Sequence, residues 1–273
     1  MMTGMPTLIG LGSLEECAAL CCELGLDFVE LNMCLPMYQL GPLSKKLLLD
    51  IAKRFGLFYT IHLDDTNTPC DFNNKVANAF TESVLDTIEI AKQTPTPIIN
   101  MHLSTGAHFT LPDRKVLLFE EYKQHYLDKL AIFKDLCESA IGNSGIVICV
   151  ENTDAFEYNF GSESLDLLFE SPVFKLTFDI GHDASSGFKQ RPVIDRHITK
   201  LGHMHIHDAN PGKRQDHMPL GTGVLDLAVY VELAISYSCT TVIEVKTVQG
   251  LRNSVPVFFD MARKQLERQP KLP

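Results

Sequence analysis

Short apolar runs alternate along the chain with longer segments in which apolar residues recur at helical spacing. We count eight strand-like runs, at residues 7–10, 27–31, 57–62, 97–102, 146–151, 175–179, 201–206 and 240–244. Short strands that alternate with helices are typical of repeated βα units, and such units form a parallel sheet. The pattern therefore predicts an α/β fold, a single (β/α)8 TIM barrel that spans residues 1–273.

The segments between these runs carry signals for helix starts and stops. Ser13 and Glu16 form a capping box, which predicts a helix that runs to Gly25. Further helices are predicted after Asn73 or Asn74 through Lys92, at 114–140 and at 252–267. The residues after Asp208 are rich in glycine, proline and charge, and we predict a loop there.

Six of the strand-like runs end in a carboxylate or an imidazole, namely His62, His102, Glu151, Asp179, His205 and Glu244. Such a group at the end of a buried strand is costly to desolvate, so each one needs a partner. A surface side chain would explain any one of them alone, but six in register favour a shared partner. In a closed barrel the carboxyl ends of the strands converge on one mouth, which would bring all six together.

The central candidates are three carboxylates and one imidazole. Donors of this kind suit a hard or borderline divalent cation, such as Mn²⁺, Mg²⁺, Co²⁺ or Zn²⁺. Spacing within one helix cannot bring these residues together, because they are far apart in sequence, whereas closure of a barrel can. We predict a metal centre formed by Glu151, Asp179, His205 and Glu244.

Several other histidines lie close to these residues in sequence. His182 follows Asp179 by three residues, and His217 stands just before a tight turn that contains glycine. For His182 and His217, contact with a metal or substrate and hydrogen-bonded support of a ligand are equal alternatives. His203 and His207 are interpreted as structural residues or as support for ligands. His125 and His197 are interpreted as solvated helix residues.

Composition narrows the class of protein. Hydrophobic residues make up 45 % of the 273 residues, and the formal net charge is 24 − 34 = −10. An acidic chain without a cluster of lysine and arginine is poorly suited to bind nucleic acid, which requires positive surface. The eight cysteines form no CxxC pair, which favours reduced thiols in a cytoplasmic protein. We see neither a signal peptide nor an apolar run long enough for a membrane span.

Five segments together carry a resemblance to a known family: residues 25–31, 150–153, 178–182, 203–208 and 217–223. In their order and spacing they resemble the xylose isomerase-like TIM barrel superfamily. That superfamily includes sugar phosphate isomerases and epimerases, and it also includes the endonuclease IV-like AP endonucleases of family 2. The resemblance extends over nearly the whole chain.

The isomerase and epimerase branch implies a divalent-metal-dependent enzyme for a small sugar, sugar phosphate or related polyol ketone. The resemblance implies that Glu151 and Glu244 both bind the metal and exchange protons with the substrate through a metal-stabilised enediol. His182 would contact a substrate oxygen, and Lys213 or Arg214 would meet a phosphate or hydroxyl. Mn²⁺ or Zn²⁺ is expected first, with one or two ions per chain. Related barrels often pair, so a homodimer is also considered.

The endonuclease IV branch offers an alternative, a zinc-dependent phosphodiesterase with a trinuclear site. Its ligands match His62, His102, Glu151, Asp179, His182, His205, His217 and Glu244. The pattern departs at Gln215, where that family has an aspartate, and the adjacent Asp216 is out of register. A third alternative is a non-catalytic, metal-dependent sugar-binding barrel. Because of the acidic charge and the departure at Gln215, we prefer the isomerase or epimerase.

Overall fold

The computed structural model describes residues 1–211 and 215–268. Within them, eight parallel strands close into a barrel, which confirms the predicted (β/α)8 fold. Each strand pairs with its neighbours in chain order, and the eighth pairs with the first. The strands are β1 Thr3–Pro6, β2 Phe28–Asn32, β3 Phe58–His62, β4 Ile98–His102, β5 Val147–Glu151, β6 Phe174–Asp179, β7 Leu201–Ile206 and β8 Thr240–Ile243.

Helices connect the strands on the outside of the barrel. They are α1 Leu14–Glu23, α2 Lys45–Phe55, α3 Asn74–Ala91, α4 Leu118–Glu121, α5 Lys123–Ile141, α6 Asn159–Leu168, α7 Ile180–Ser185, α8 Arg191–Arg196, α9 Leu227–Tyr237 and α10 Val248–Arg268. Three short 3-10 helices lie at Pro36–Tyr38, Asp154–Glu157 and Ile198–Lys200. None of the helices in the described residues is long and apolar enough to cross a membrane.

Two helix starts confirm the capping signals in the sequence. Ser13 Oγ accepts a hydrogen bond from the Glu16 backbone N–H at 3.2 Å, and Glu16 Oε2 accepts one from the Gly12 N–H at 3.0 Å. At the start of α3, Asn73 Oδ1 accepts from the Lys75 N–H at 3.1 Å. Side chains at these positions satisfy backbone donors that have no partner within the helix.

The prediction of the first strand at residues 7–10 is wrong, because β1 is formed by Thr3–Pro6. β1 contains glycine and proline, which are unfavourable in strands and conceal it from a propensity argument. Gly4 is required by space, since a side chain there would collide with the Phe28 ring on the neighbouring strand. Ile9, which made the later run look like a strand, is 84 % exposed.

The long helix predicted over 114–140 begins too early. Lys115–Leu117 instead forms an antiparallel hairpin with His108–Thr110, and the helical residues that follow are divided at Tyr122 into α4 and α5. The predicted loop after Asp208 likewise contains a hairpin, between Asp208–Asn210 and Gln215–Met218. Short hairpins beside a barrel mouth have too few residues for a recognisable period.

The register of the barrel aligns the predicted ligands. His102 lies opposite Glu151 across β4 and β5, and Asp179 lies opposite His205 across β6 and β7. Residues opposite each other in a parallel pair project to the same face of the sheet. Outward neighbours such as Val150 are apolar and fully buried under the helices. The polar side chains at the strand ends therefore face the inside of the barrel mouth.

Candidate metal centre at the barrel mouth

The four central candidates lie at the carboxyl ends of consecutive strands. Glu151 ends β5, Asp179 ends β6, His205 is the penultimate residue of β7, and Glu244 follows β8 directly. All four are buried, and Glu244 is the most exposed of them at 4 %. A cluster of this kind is unstable without compensation, because three buried carboxylates repel one another.

The carboxylates converge on a single nitrogen atom, His205 Nδ1. It lies 3.2 Å from Glu151 Oε2, 3.3 Å from Glu244 Oε2 and 3.8 Å from Asp179 Oδ2. All three carboxylates therefore lie within 4 Å of one imidazole nitrogen. The structure thus brings together the residues that the sequence analysis assigned to a metal centre.

Glu151 also lies at the centre of a ring of imidazoles. His62 Nε2 and His102 Nε2 are each 3.3 Å from Glu151 Oε2, and His182 Nδ1 is 3.1 Å from Glu151 Oε1. The Asn100 side-chain amide donates a further hydrogen bond to Glu151 Oε2. One carboxylate therefore contacts imidazoles from several strands, and it could be shared between two ions.

The opposite side of the mouth is formed by Glu244 and the hairpin after β7. His217 Nε2 lies 3.4 Å from Glu244 Oε2, while the Lys246 ammonium donates to Glu244 Oε1. Asp216 Oδ1 is 2.9 Å from His217 Nδ1, and Asp216 Oδ2 accepts from Ser185 Oγ at 3.0 Å. A carboxylate behind an imidazole orients the ring, as it often does for metal-binding histidines.

In His62 and His207, the hydrogen bond made by one ring nitrogen determines whether the other nitrogen is available to a metal. His62 Nδ1 is 2.8 Å from the Leu63 carbonyl oxygen, which can only accept, so Nδ1 carries a proton and Nε2, which faces Glu151, is the nitrogen that a metal could use. His207 has the opposite arrangement. Its Nδ1 accepts from the His217 backbone N–H at 2.7 Å, and its Nε2 lies 3.0 Å from both oxygens of Asp179. His207 thus orients Asp179.

Asp179 has a second structural role as the N-cap of α7. Its Oδ1 accepts from the His182 backbone N–H at 2.7 Å, which fixes the turn that carries His182 to the mouth. Asn152 holds the same backbone from the other side. Its Oδ1 accepts from the Asp179 N–H at 2.7 Å, and its Nδ2 donates to the Asp179 carbonyl at 2.9 Å.

The charges of the cluster shift the pKa of each member. Burial alone raises the pKa of Glu151 and Glu244, but neighbouring cations outweigh it and hold each pKa well below its ordinary value. The largest such effect comes from His205 on Glu151 and from Lys246 on Glu244. These carboxylates are therefore anionic at neutral pH, as ligands of a cation must be.

The imidazoles respond in the opposite direction. Burial alone lowers the pKa of His62, His182 and His217, but adjacent carboxylates raise it. The resulting pKa is about 9 for His62 and His217 and about 10 for His182. In the absence of a metal, protons on these rings compensate the carboxylates, and a bound cation would take over that role.

The chemistry of the donors fits a divalent metal. Several buried atoms at the mouth have no hydrogen-bond partner within the described residues: His102 Nε2, Glu151 Oε1, both ring nitrogens of His205 and Glu244 Oε2. Buried polar atoms normally have partners, so a group of orphaned ones close together indicates a ligand. Donor atoms of His62, Glu151 and His205 lie within 4.8 Å of one another, as do those of Asp179, His217 and Glu244. The mixture of carboxylate and imidazole donors suits Mn²⁺ or Zn²⁺.

A cavity of about 710 Å³ opens beside these donors and is bounded by His102 and His182. Its lining is polar, with hydroxyl groups from Ser104, Thr105 and Ser185 among others. Among the described residues, the lining carries four carboxylates, Asp65, Asp154, Glu157 and Asp216, and one ammonium group, Lys189. Lys189 is itself paired with Glu157 at 3.3 Å. Among these described residues, carboxylates thus outnumber ammonium groups in the lining.

Comparison with known proteins establishes the family. A family model described as "Xylose isomerase-like TIM barrel" matches residues 18–258, which is most of the chain. The chain belongs to the xylose isomerase-like TIM barrel family. No curated protein matches the sequence.

Solved structures with the same fold are similar to this xylose isomerase-like barrel at low sequence identity. A D-tagatose 3-epimerase-like protein is 22 % identical with a TM-score of 0.77, over 97 % of this chain and 100 % of that one. D-psicose 3-epimerase with D-tagatose from Clostridium cellulolyticum H10 is 14 % identical with a TM-score of 0.67, over 98 % and 97 %. The IOLI protein with a binding zinc atom is 18 % identical with a TM-score of 0.66, over 97 % and 96 %.

The outcome differs among the other residues considered in the sequence of this xylose isomerase-like barrel. Lys213 and Arg214, considered for a phosphate or hydroxyl, fall outside the described residues. Gln215 is exposed, and its Oε1 accepts from Asn210 Nδ2 across the hairpin at 3.0 Å. His197 is buried against Phe169, so its interpretation as a solvated residue is wrong. His125 is exposed, as predicted.

Other residues at the mouth of the xylose isomerase-like barrel were missed by sequence reasoning. Asn100 and Asn152 are amides, which carry no charge signal, and Lys246 lies two residues beyond the strand end that drew attention. Glu30 could have been found, because it is a carboxylate within the apolar run of β2. It was overlooked because it does not stand at the end of its run.

Proposed function

We propose that the protein is a divalent-metal-dependent isomerase or epimerase of a small, uncharged sugar or related polyol ketone. The observation that carries the proposal is the approach of two carboxylates, Glu151 and Glu244, to the same atom, His205 Nδ1, at 3.2 and 3.3 Å. Two such carboxylates beside one binding point could serve the two faces of a bound sugar. The similar folds of proteins named as sugar 3-epimerases support this choice.

Each step of the proposed reaction corresponds to residues at the mouth. Glu151, Asp179, His205 and Glu244 would hold the metal, which would supply polarisation of a carbonyl and the hydroxyl beside it. One of the two glutamates removes the proton from the carbon next to the carbonyl. The other returns a proton to that carbon from the opposite face, or to the neighbouring carbon in an isomerisation. The catalytic roles thus fall to Glu151 and Glu244.

The residues around the two glutamates set their basicity and hold the substrate. Lys246 stabilises the anionic form of Glu244, which makes Glu244 a weaker base and a better ligand. His182, at the boundary of the cavity, is positioned to donate a hydrogen bond to a substrate oxygen. Polar hydroxyl groups in the cavity suit a polyol, and the acidic lining disfavours a phosphate.

The test is exchange of substrate carbon-bound hydrogen with solvent deuterium. Metal-loaded protein is incubated in D₂O with a panel of free ketoses, and loss of the signal of the proton next to the carbonyl is followed by NMR. We expect exchange with at least one ketose and a loss of about 10²- to 10⁴-fold in Glu244→Gln, the range of a general acid or base. Metal content is measured in parallel, so that a loss of metal is distinguished from a loss of proton transfer.

Glu232→Gln, a substitution of an exposed glutamate on α9, is the matched control and should exchange at the wild-type rate. Unchanged exchange in Glu244→Gln would refute the assigned role of that residue. A wild-type protein that binds metal but exchanges no substrate on the panel would argue instead for a non-catalytic sugar-binding barrel.

One observation favours a second candidate, a polynuclear zinc phosphodiesterase of the endonuclease IV type. His62 and His102 both lie 3.3 Å from Glu151, so a second ion could be held beside the first. Against it, Gln215 points toward Asn210, and Asp216 lies behind His217 at its Nδ1. Elemental analysis together with incision of an abasic-site duplex separates the candidates. Two or three zinc ions with incision would replace our preferred function.

A further inference from the structure

A fourth acidic residue, Glu30, lies beneath the proposed metal ligands. It is in the middle of β2, inside the barrel, and is 1 % exposed. Its carboxylate does not approach the metal-facing nitrogen of His205, and the proposed reaction assigns it no role. An ionised carboxylate at this depth is costly unless its oxygen atoms are well occupied, so its surroundings require an explanation.

Glu30 contacts both histidines that precede the end of β7. Its Oε1 lies 3.0 Å from His205 Nε2, and its Oε2 lies 3.1 Å from His203 Nε2. Thr60 Oγ1, on the adjacent strand β3, donates to the same Oε2 at 2.8 Å. The His203 ring is held at its other nitrogen too, since Nδ1 lies 2.5 Å from Thr240 Oγ1. The Glu30 carboxylate is thus held between the two histidines of β7 and Thr60 of β3.

The contact between Glu30 and His205 is at Nε2. This nitrogen lies on the edge of the ring opposite Nδ1, which faces the proposed metal ligands. If His205 binds a metal through Nδ1, its Nε2 must carry the proton and needs an acceptor. Glu30 Oε1, at 3.0 Å, is the carboxylate oxygen beside that nitrogen, and a small rotation of the ring would complete the hydrogen bond that Nε2 lacks in this structure. A carboxylate there holds the ring in the correct tautomer and orientation, and it adds negative charge that strengthens the bond between imidazole and metal.

We propose that Glu30 is the positioning residue for His205, with His203 and Thr60 holding its carboxylate in place. This inference rests on the metal centre of the proposed function and adds to it a group that touches neither metal nor substrate. It predicts that Glu30 controls metal affinity through His205. It also predicts that Thr60 contributes less, because the hydroxyl supports only one oxygen of the carboxylate.

The experiment measures the affinity of the metal-free protein for Zn²⁺ by competition with a chromophoric chelator. Glu30→Gln retains the shape of the side chain, but the side chain loses its negative charge and one acceptor oxygen is replaced by an NH₂ donor. We expect affinity to fall about 10- to 100-fold, the range seen when such supporting carboxylates are removed. Thr60→Val should show a smaller loss. Thr241→Val is the matched control, because Thr241 is equally buried on β8 and its neighbour Thr240, not Thr241, contacts His203.

A second readout does not depend on whether a variant folds. In the Zn²⁺-loaded wild-type protein, ¹⁵N NMR of the His205 ring should show a protonated Nε2 and a metal-bound Nδ1. The reverse assignment would overturn the inference, as would wild-type Zn²⁺ affinity in a folded Glu30→Gln. If the wild-type protein binds no Zn²⁺, Mn²⁺ or Co²⁺, the metal centre of the proposed function fails as well, whereas tight wild-type binding with an unaffected variant refutes only the role of Glu30.

Discussion

At the scale of single residues, Asn152 fixes the backbone at the mouth through hydrogen bonds, although it has no charge and no proposed catalytic role. Its side chain exchanges two hydrogen bonds with the Asp179 backbone and donates a third to Gln190 Oε1 at 2.7 Å. Asn152→Ala would leave the buried Asp179 N–H and the buried Gln190 Oε1 without the partner that Asn152 supplies. At about 1–3 kcal/mol for each unsatisfied group, we expect the free energy of unfolding to fall by about 3 kcal/mol in equilibrium urea denaturation.

The matched control is Asn159→Ala, which also removes a side-chain hydrogen bond. Asn159 is exposed at the start of α6 and, within residues 1–211 and 215–268, donates only to Glu120 Oε1, at 3.0 Å. Water replaces such a partner, so the free energy of unfolding should change by less than about 0.5 kcal/mol. Equal losses in the two variants would show that burial of the Asn152 hydrogen bonds has no particular importance.

The same contrast explains which site residues the sequence could reveal. Glu151, Asp179 and Glu244 were predictable because each interrupts an apolar run at its carboxyl end, where parallel strands must meet. Asn152 was not, because an amide after a strand is an ordinary surface residue unless the structure buries it. The hydrogen bond between Glu30 and Thr60 joins two strands, and only knowledge of their register could have indicated it.

At the scale of secondary-structure elements, α7 is packed directly against the ring that orients Asp179. The helix begins at Asp179 as N-cap, and a side chain at Gly181 would overlap the His207 imidazole. That imidazole is also stacked on His217, with 4.2 Å between ring centres, so it has little freedom to move away. The glycine of the Asp-Ile-Gly-His segment is therefore required by close approach of helix and strand.

Gly181→Ala tests this packing. We expect destabilisation by about 1–3 kcal/mol from overpacking, measured by urea denaturation, because the methyl group must displace His207 or the helix. Displacement of His207 should also weaken Zn²⁺ binding through Asp179. Gly10→Ala is the control, since a methyl group there meets no atom within 4 Å. A fully stable Gly181→Ala protein with wild-type affinity would contradict the account.

Elements differed in how far the sequence predicted them. Helices with side-chain caps, such as α1 and α3, were predicted because local chemistry determines where they begin. β1 was misplaced because tertiary packing against Phe28 selects glycine over a good strand former. The hairpin at Lys115–Leu117 was taken for helix because a run of three residues has no detectable period.

At the scale of the whole molecule, closure of the barrel is what converts dispersed residues into a centre. Strands far apart in sequence deliver carboxylates and imidazoles to one mouth, and each group then shifts the pKa of the others. The count of eight strand-like runs alternating with helices predicted the closure, because eight such βα units form a TIM barrel. It could not predict the balance of charge, which depends on distances of 3 to 4 Å between the groups.

That balance predicts how metal removal and pH act together. His62 and His217, with a pKa of about 9, and His182, with a pKa of about 10, are protonated at pH 7.5 in the metal-free protein. Their pKa in the unfolded chain is about 6.5. A raised pKa in the folded state stabilises the metal-free protein fully below about pH 6.5, and this contribution is lost as pH rises through about 9 to 10. The metal-loaded protein should be much less sensitive over that interval.

The same imbalance requires that metal binding releases protons, because a cation and three protonated imidazoles cannot occupy the mouth together. Calorimetric titration with Zn²⁺ at pH 7.5, in buffers of different ionisation enthalpy, should show release that diminishes as pH approaches 9, while the affinity for the metal rises. His62→Asn should release about one proton fewer per chain. His125→Asn, a substitution of an exposed histidine on α5, should match the wild type. Binding without proton release would mean that the imidazoles are already neutral and that the carboxylates are compensated in another way.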